Sequence, residues 1–228
     1  MSLNFRPNHN DLSPGGHFHL FRSHLLVLLG RQPSISSIMR IKLLSPMLPT
    51  LQSIASELPS IPSTAAYIIF SDSGKTIVIE KDYITATTRQ REDFIVATNH
   101  DRADENQEAA HKNARQSSTA LTLRAEEFLV ESVTRKLSIR QYWRQVVFHA
   151  VGADPGEHDA ADGEDQDFGV SVNQKEAINW LEAWPVTNEC THYAVVMDPK
   201  EGQVVWLRRF LEPVNPPSGN NTSDGDSE

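Results

Sequence analysis

A few groupings of residues have the side chains and the spacing for chemistry. Thr98-Asn99-His100-Asp101-Arg102 is the densest run of polar and ionisable groups, and it closes the apolar run Asp93-Phe94-Ile95-Val96-Ala97-Thr98, which reads as a strand. An Asn at a strand end can aim side-chain N–H donors at a developing oxyanion, where preorganised donors are worth several kcal/mol. The same residues also make an Asx turn capped by charged surface side chains, and both readings stand. His17, His19 and His24 are close enough for imidazoles to meet at one ion, but no HExxH arrangement follows and Asp11 is the only nearby carboxylate. They are expected to be surface or packing histidines, with no metal and no cofactor. Cys190 sits between Glu189 and Thr191, with no adjacent cation to lower its pKa, and reads as a structural thiol. Ser71-Asp72-Ser73-Gly74 lacks a GxSxG elbow and reads as a turn, so a serine hydrolase is unsupported.

The elements that must position these residues follow from hydrophobic period and turn chemistry. Residues 1–16 are polar and turn-rich and read as a loop, after which His17 to Gly30 is apolar. Ile35, Ile38, Met39, Leu43 and Leu44, then Leu48, Leu51, Ile54, Ala55 and Leu58, recur at spacings of three and four. That is the helical period, and Pro33, Pro46, Pro49 and Pro59 divide the stretch into two or three short helices. From Ser63 the pattern changes. Ala65–Phe70 and Lys75–Glu80 are β-branched and aromatic runs flanking a turn at 71–74, which predicts a β-hairpin. Residues 103–119 read as loop, and Leu121, Phe128, Leu129, Val133, Leu137, Trp143, Val146 and Val147 trace one helical face. Asn173-Gln174-Lys175-Glu176 resembles a capping box that opens another helix, stopped by Pro185. Thr191–Met197 and Gln203–Leu207, joined by a turn at 198–202, form a second predicted hairpin.

The expected class is therefore α+β. Residues 1–62 form a loop and helical segment, 63–212 the main α+β region with an acidic loop at 152–168, and 213–228 a solvated tail. A chain of 228 residues suits a single packed core. The net charge of −9 is unevenly spread, because residues 152–168 carry seven carboxylates and no Lys or Arg, and the tail adds Asp224, Asp226 and Glu228. The remainder has 20 acidic residues against 21 basic ones, a formal +1. A near-neutral body with acidic appendages argues against nucleic-acid binding, which rests on clustered Lys and Arg. A single cysteine excludes an intrachain disulfide and a multi-cysteine zinc site. The longest aliphatic run, Leu25–Leu29, is far short of the roughly 18 apolar residues of a spanning helix, so no transmembrane segment is expected. The first residues do not read as a signal peptide, which leaves either an intracellular protein or a start further upstream.

Thr64–Phe70, Ile77–Asp82, Phe94–Asp101 and Thr191–Gln203 resemble, in that order, the C-terminal part of the acid ceramidase family, which includes the N-acylethanolamine-hydrolysing acid amidases. Ser2-Leu3-Asn4-Phe5-Arg6 is similar to its Leu-Asn-Glu-Arg stretch, so the resemblance spans most of residues 2–212. It implies part of an N-terminal-nucleophile-hydrolase-like sandwich of antiparallel sheets and helices, and hydrolysis of the amide of an N-acyl lipid. The family's nucleophile is a Cys exposed by self-cleavage, whose own α-amine serves as base. Asn99 matches the family's oxyanion Asn; Arg135 best matches its downstream Arg, with Arg115 as a weaker candidate. The nucleophilic Cys and the Arg and Asp that follow it would lie ahead of Met1, and Phe5 stands where the family has Glu.

Two expectations follow. One is the C-terminal portion of a ceramidase-like amidase acting on ceramide or an N-acylethanolamine, lacking its nucleophile here and with its own processed N-terminal segment as a partner. In it, the helices around His17–Leu29 and Pro33–Leu58 help form an apolar entrance for an acyl chain. The other is a non-catalytic paralogue that binds lipid or a protein partner through the same helices. The family would be lysosomal or secreted; a true start at Met1 would make the protein cytoplasmic.

Overall fold

The computed structural model describes residues 2–5, 14–99, 120–152 and 169–216. The elements are β1 (Ser2–Phe5), α1 (Pro14–Leu28), α2 (Ile35–Leu43), α3 (Leu51–Glu57), a 3-10 turn (Leu58–Ser60), β2 (Ala66–Ser71), β3 (Thr76–Lys81), β4 (Ala86–Arg91), α4 (Ala120–Val151), α5 (Gln174–Glu182), β5 (Tyr193–Asp198) and β6 (Gln203–Arg209). The class is α+β, with helices and antiparallel strands in two compact units, Met1–Val170 and Ser171–Glu228.

In the first unit the strands form an antiparallel sheet in the order β1-β2-β3-β4. Ile68 faces Ile79 and Phe70 faces Ile77 across the β2–β3 pair, while Lys81 faces Ala86 across β3–β4. Because side chains alternate along a strand, Ala66, Ile68, Phe70, Ile77 and Ile79 share one face. They are buried with Ile35, Ile38 and Met39 of α2, Ile54 of α3 and Leu58 of the 3-10 turn. The spacing of Ile35, Ile38 and Met39 puts all three on one side of α2, and Ser34, just after Pro33, caps that helix by accepting from the Ser37 N–H at 3.1 Å. Thr50 caps α3 in the same way. Tyr67, Val78 and Glu80, on the opposite face, are buried as well, so the central strands are enclosed on both sides.

The hairpin turns are set by aspartates. Asp72 N–H donates to the Lys75 carbonyl at 3.0 Å, and its carboxylate accepts from Gly74 N and Lys75 N, both at 2.8 Å. Those backbone donors, Gly74 foremost, hold the Asp72 carboxyl below its usual range. Asp82 N–H donates to the Thr85 carbonyl at 2.8 Å and closes the next turn.

The structure corrects the sequence reading in this unit. The strand expected at 93–98 is irregular chain, and the strand after the hairpin is β4, which begins at Ala86, seven residues before Asp93. Ala86-Thr87-Thr88-Arg89-Gln90-Arg91 has little apolar content because β4 is the outer strand of the described sheet, where charge and polarity are tolerated. Residues 2–5, read as loop, form a strand paired with β2 from Ser2↔Ile69 to Phe5↔Ala66. The predicted loop at 103–119, the predicted acidic loop 152–168 from residue 153 on, and the end of the tail from 217 lie outside the described residues.

In the second unit the capping box is present: Asn173 Oδ1 accepts from Glu176 N, and Glu176 Oε2 accepts from Asn173 N, each at 3.0 Å. The β5–β6 hairpin follows, from Tyr193↔Arg209 to Asp198↔Gln203, with a bulge between Val196 and Met197. Asp198 Oδ1 accepts from Lys200 N at 2.8 Å, and Gly202 takes φ +66°, a left-handed conformation that suits glycine. Arg208 pairs with Glu182, tying the hairpin to α5.

Candidate functional site

After β4 the chain bends at Glu92–Asp93 and passes along α4. The Phe94 ring stacks on Trp143, with centroids 4.7 Å apart and planes 7° from parallel. Five residues later, Asn99 N–H donates to the Ser132 hydroxyl at 2.7 Å. The two contacts have matching spans, since eleven helical residues at about 1.5 Å and five extended residues at about 3.3 Å both cover roughly 16 Å. The segment 94–99 therefore lies antiparallel to α4, fixed at both ends. Every residue of it is half-buried.

The buried face of α4 differs from the apolar face read in the sequence. Ser132, Lys136 and Val147 are buried and Ile139 and Trp143 half-buried, a stripe spaced by three and four. Leu137 is 53% exposed, since at about 100° per residue it sits about 140° round the helix from Ser132. The apposed element is irregular chain whose N–H groups need acceptors, so the helix presents a hydroxyl where a Leu would leave one unsatisfied. The side chains of Leu121, Phe128 and Leu129 lie outside the described residues.

Arg135 is three residues after Ser132, within one helical turn of the point where Asn99 is attached. It is half-buried, and its Nε is buried with no hydrogen-bond partner among the described residues. The structure thus brings the neighbourhoods of Asn99 and Arg135 together. Arg115, His100, Asp101 and Arg102 lie outside the described residues.

A second buried polar group went unread in the sequence. Glu80 and Arg89 form an ion pair at 3.1 Å on the sheet face opposite the apolar core. Glu80 faces Tyr67 on β2 and Thr87 on β4, and Arg89 lies two residues past Thr87, so the pair is a same-face diagonal. Arg89 Nε is a further buried donor with no hydrogen-bond partner among the described residues. The signal, a Glu inside a β-branched strand and an Arg on the next, was hidden because β4 was not recognised as a strand.

Lys81 is fully buried. Its Nζ donates to the carbonyls of Pro59 at 2.9 Å, Asp82 at 3.0 Å and Tyr83 at 3.3 Å, satisfying the three donors of an ammonium. Burial pushes its pKa down to about 8, with Asp82 acting in the opposite sense.

Among the remaining candidates, His19 stacks on Tyr83 with centroids 5.9 Å apart, and His24 is exposed. Among the described residues no group of three or more His, Cys, Asp or Glu side chains could hold a metal ion. Cys190, in the second unit, is exposed, and its backbone N–H donates to Asn188 Oδ1 at 3.1 Å. What the Asn99 and Arg135 neighbourhood offers is donors and positive charge: a side-chain amide, a guanidinium and an unspent buried N–H, suited to negative charge on a substrate oxygen. No protein family, no characterised protein and no solved structure matches this chain.

Proposed function

We propose that this chain is the C-terminal part of a ceramidase-like hydrolase of N-acyl lipid amides, in which Asn99 stabilises the oxyanion and Arg135 supports it. The observation that carries the reading is the attachment of the Asn99 backbone to α4 at Ser132, one turn from an arginine whose Nε–H is buried and unspent. A sheet enclosed on both faces also suits an inner layer of a sandwich of the N-terminal-nucleophile hydrolase kind.

In that chemistry a thiolate attacks the amide carbonyl, the carbonyl oxygen takes negative charge, the amine departs with a proton, and water then hydrolyses the thioester. Asn99 and Arg135 act at the oxygen in both tetrahedral stages. The thiol comes from outside the sequence described, because no residue of this chain matches the family's nucleophile.

The test is to sequence the 5′ end of the native transcript, express the complete reading frame and assay release of fatty acid from ceramide and from an N-acylethanolamine. An in-frame upstream Cys and turnover that falls about 10²–10³-fold in kcat in Asn99→Ala, with KM little changed, support the assignment. Undiminished turnover in Asn99→Ala sinks the site, and a reading frame without that Cys leaves a binding protein instead.

A further inference from the structure

A side chain that stabilises an oxyanion has to be held to a fraction of an ångström, and loops hold groups less closely than helices and strands do. Asn99 follows residues 94–98, which belong to neither a helix nor a strand. Its precision has to be borrowed from a stiffer element. Helix α4 is that element, and Ser132 is its point of contact. The Asn99 N–H donates to Ser132 Oγ at 2.7 Å, the short end of the usual range for such a bond. Ser132 has no exposed surface, so bulk water does not compete for its oxygen. It lies inside a helix of 32 residues, on the buried stripe with Lys136 and Val147. Ala or Leu has the better helix propensity at such a position, so what Ser132 contributes is its acceptor.

The geometry of that bond reaches the Asn99 side chain by a short route. The donated N–H belongs to the planar peptide joining Thr98 to Asn99, so the bond sets the orientation of that plane. Three torsions, φ, χ1 and χ2 of Asn99, then lead to the side-chain amide. On the other side, a single torsion joins Ser132 Oγ to the helix backbone. The Phe94–Trp143 stack opposes sliding of the segment along α4. A backbone N–H spent on Ser132 cannot also serve a substrate oxygen, so Asn99 acts there through its side-chain amide. We infer that Ser132 is a positioning residue for the amide hydrolysis proposed above, its hydroxyl fixing the Asn99 backbone so that the side-chain N–H groups meet the developing oxyanion. The inference rests on that reading of Asn99. Ser132 itself touches no substrate and moves no proton.

The test is a double-mutant cycle in the complete reading frame, with Ser132→Ala, Asn99→Ala and the two combined. Fatty acid release from an N-acylethanolamine is measured on processed protein, on the folded baseline of each variant's melting curve. A catalytic group displaced by about 1 Å can cost on the order of 10²-fold, so Ser132→Ala should lower kcat on the order of tenfold to 10²-fold with KM little changed. In the Asn99→Ala background the same change should cost nothing further, because there is no side-chain amide left to misplace. An equal loss in both backgrounds, or full turnover in Ser132→Ala where Asn99→Ala is impaired, would overturn the inference and leave the Asn99 reading standing. Undiminished turnover in Asn99→Ala removes the reading and the inference with it. Should Ser132→Ala not fold, Ser132→Thr and Ser132→Val make the comparison, being alike in volume and differing in the hydroxyl. Thr should retain more of the parent kcat than Val, and equal rates in the two would refute the positioning role.

Discussion

Lys81→Met probes how the apolar face of the sheet is closed at the end of β3. In the folded chain the ammonium is buried among three carbonyls, and its pKa lies at about 8 against an ordinary 10.5. A group that holds its proton less tightly folded than unfolded subtracts from stability wherever it is charged in both states. Below about pH 8 that penalty is complete. Between about pH 8 and 10.5 the unfolded chain binds more proton than the folded one, so this contribution to stability rises with pH, and above 10.5 the penalty is gone. A gap of about 2.5 pH units at about 1.36 kcal/mol each sets it at about 3 kcal/mol. That is an upper figure, because the carbonyl acceptors favour the ammonium. Met fills a similar volume and cannot titrate. Urea unfolding of parent and variant from about pH 7 to about pH 10 should show the parent gaining stability relative to Lys81→Met across the upper half of the range. A difference that stays flat, or that falls as pH rises, would refute the reasoning.

Other expectations concern the core and the site. Ser132→Ala removes the acceptor of the Asn99 N–H and should destabilise by about 1–3 kcal/mol, less a few tenths for the better helix propensity of Ala. Hydrogen exchange at the Asn99 amide should quicken, and unchanged protection there would show that α4 does not hold the segment. Ile68→Ala, at a side chain with no exposed surface, should lower unfolding free energy by about 2–5 kcal/mol, and a loss below about 1 kcal/mol would contradict the core assignment.

The sequence made some of this architecture legible and concealed the rest for physical reasons. Both hairpins were readable because β-branched runs stand either side of Asp-led turns, and α5 announced itself by the reciprocal Asn173–Glu176 box. Pro33 and Pro49 fall just ahead of the capped helices they were expected to separate. β4 was concealed because an outer strand needs few apolar residues, and β1 because four residues carry almost no period. Asn99 was singled out as a donor at the end of a strand; the structure has irregular chain there, attached to α4 at Ser132. Phe94 is apolar because its ring stacks on Trp143 of α4, not because it belongs to a strand. Nothing in a linear pattern could show that α4 would bury Ser132 and Lys136 while exposing Leu137, since that choice belongs to the segment opposite.

The two-point fixing of residues 94–99 governs which changes in chain length the site can absorb. An insertion or deletion between Phe94 and Asn99 breaks the match between five extended and eleven helical residues and displaces Asn99 by about one residue rise, roughly 3.3 Å. That is more than its bond to Ser132 can follow. A change in length between 99 and 120 falls outside the span of those two anchors. Among related chains, the spacing from the aromatic to the Asn should therefore stay constant while the connection beyond it drifts in length.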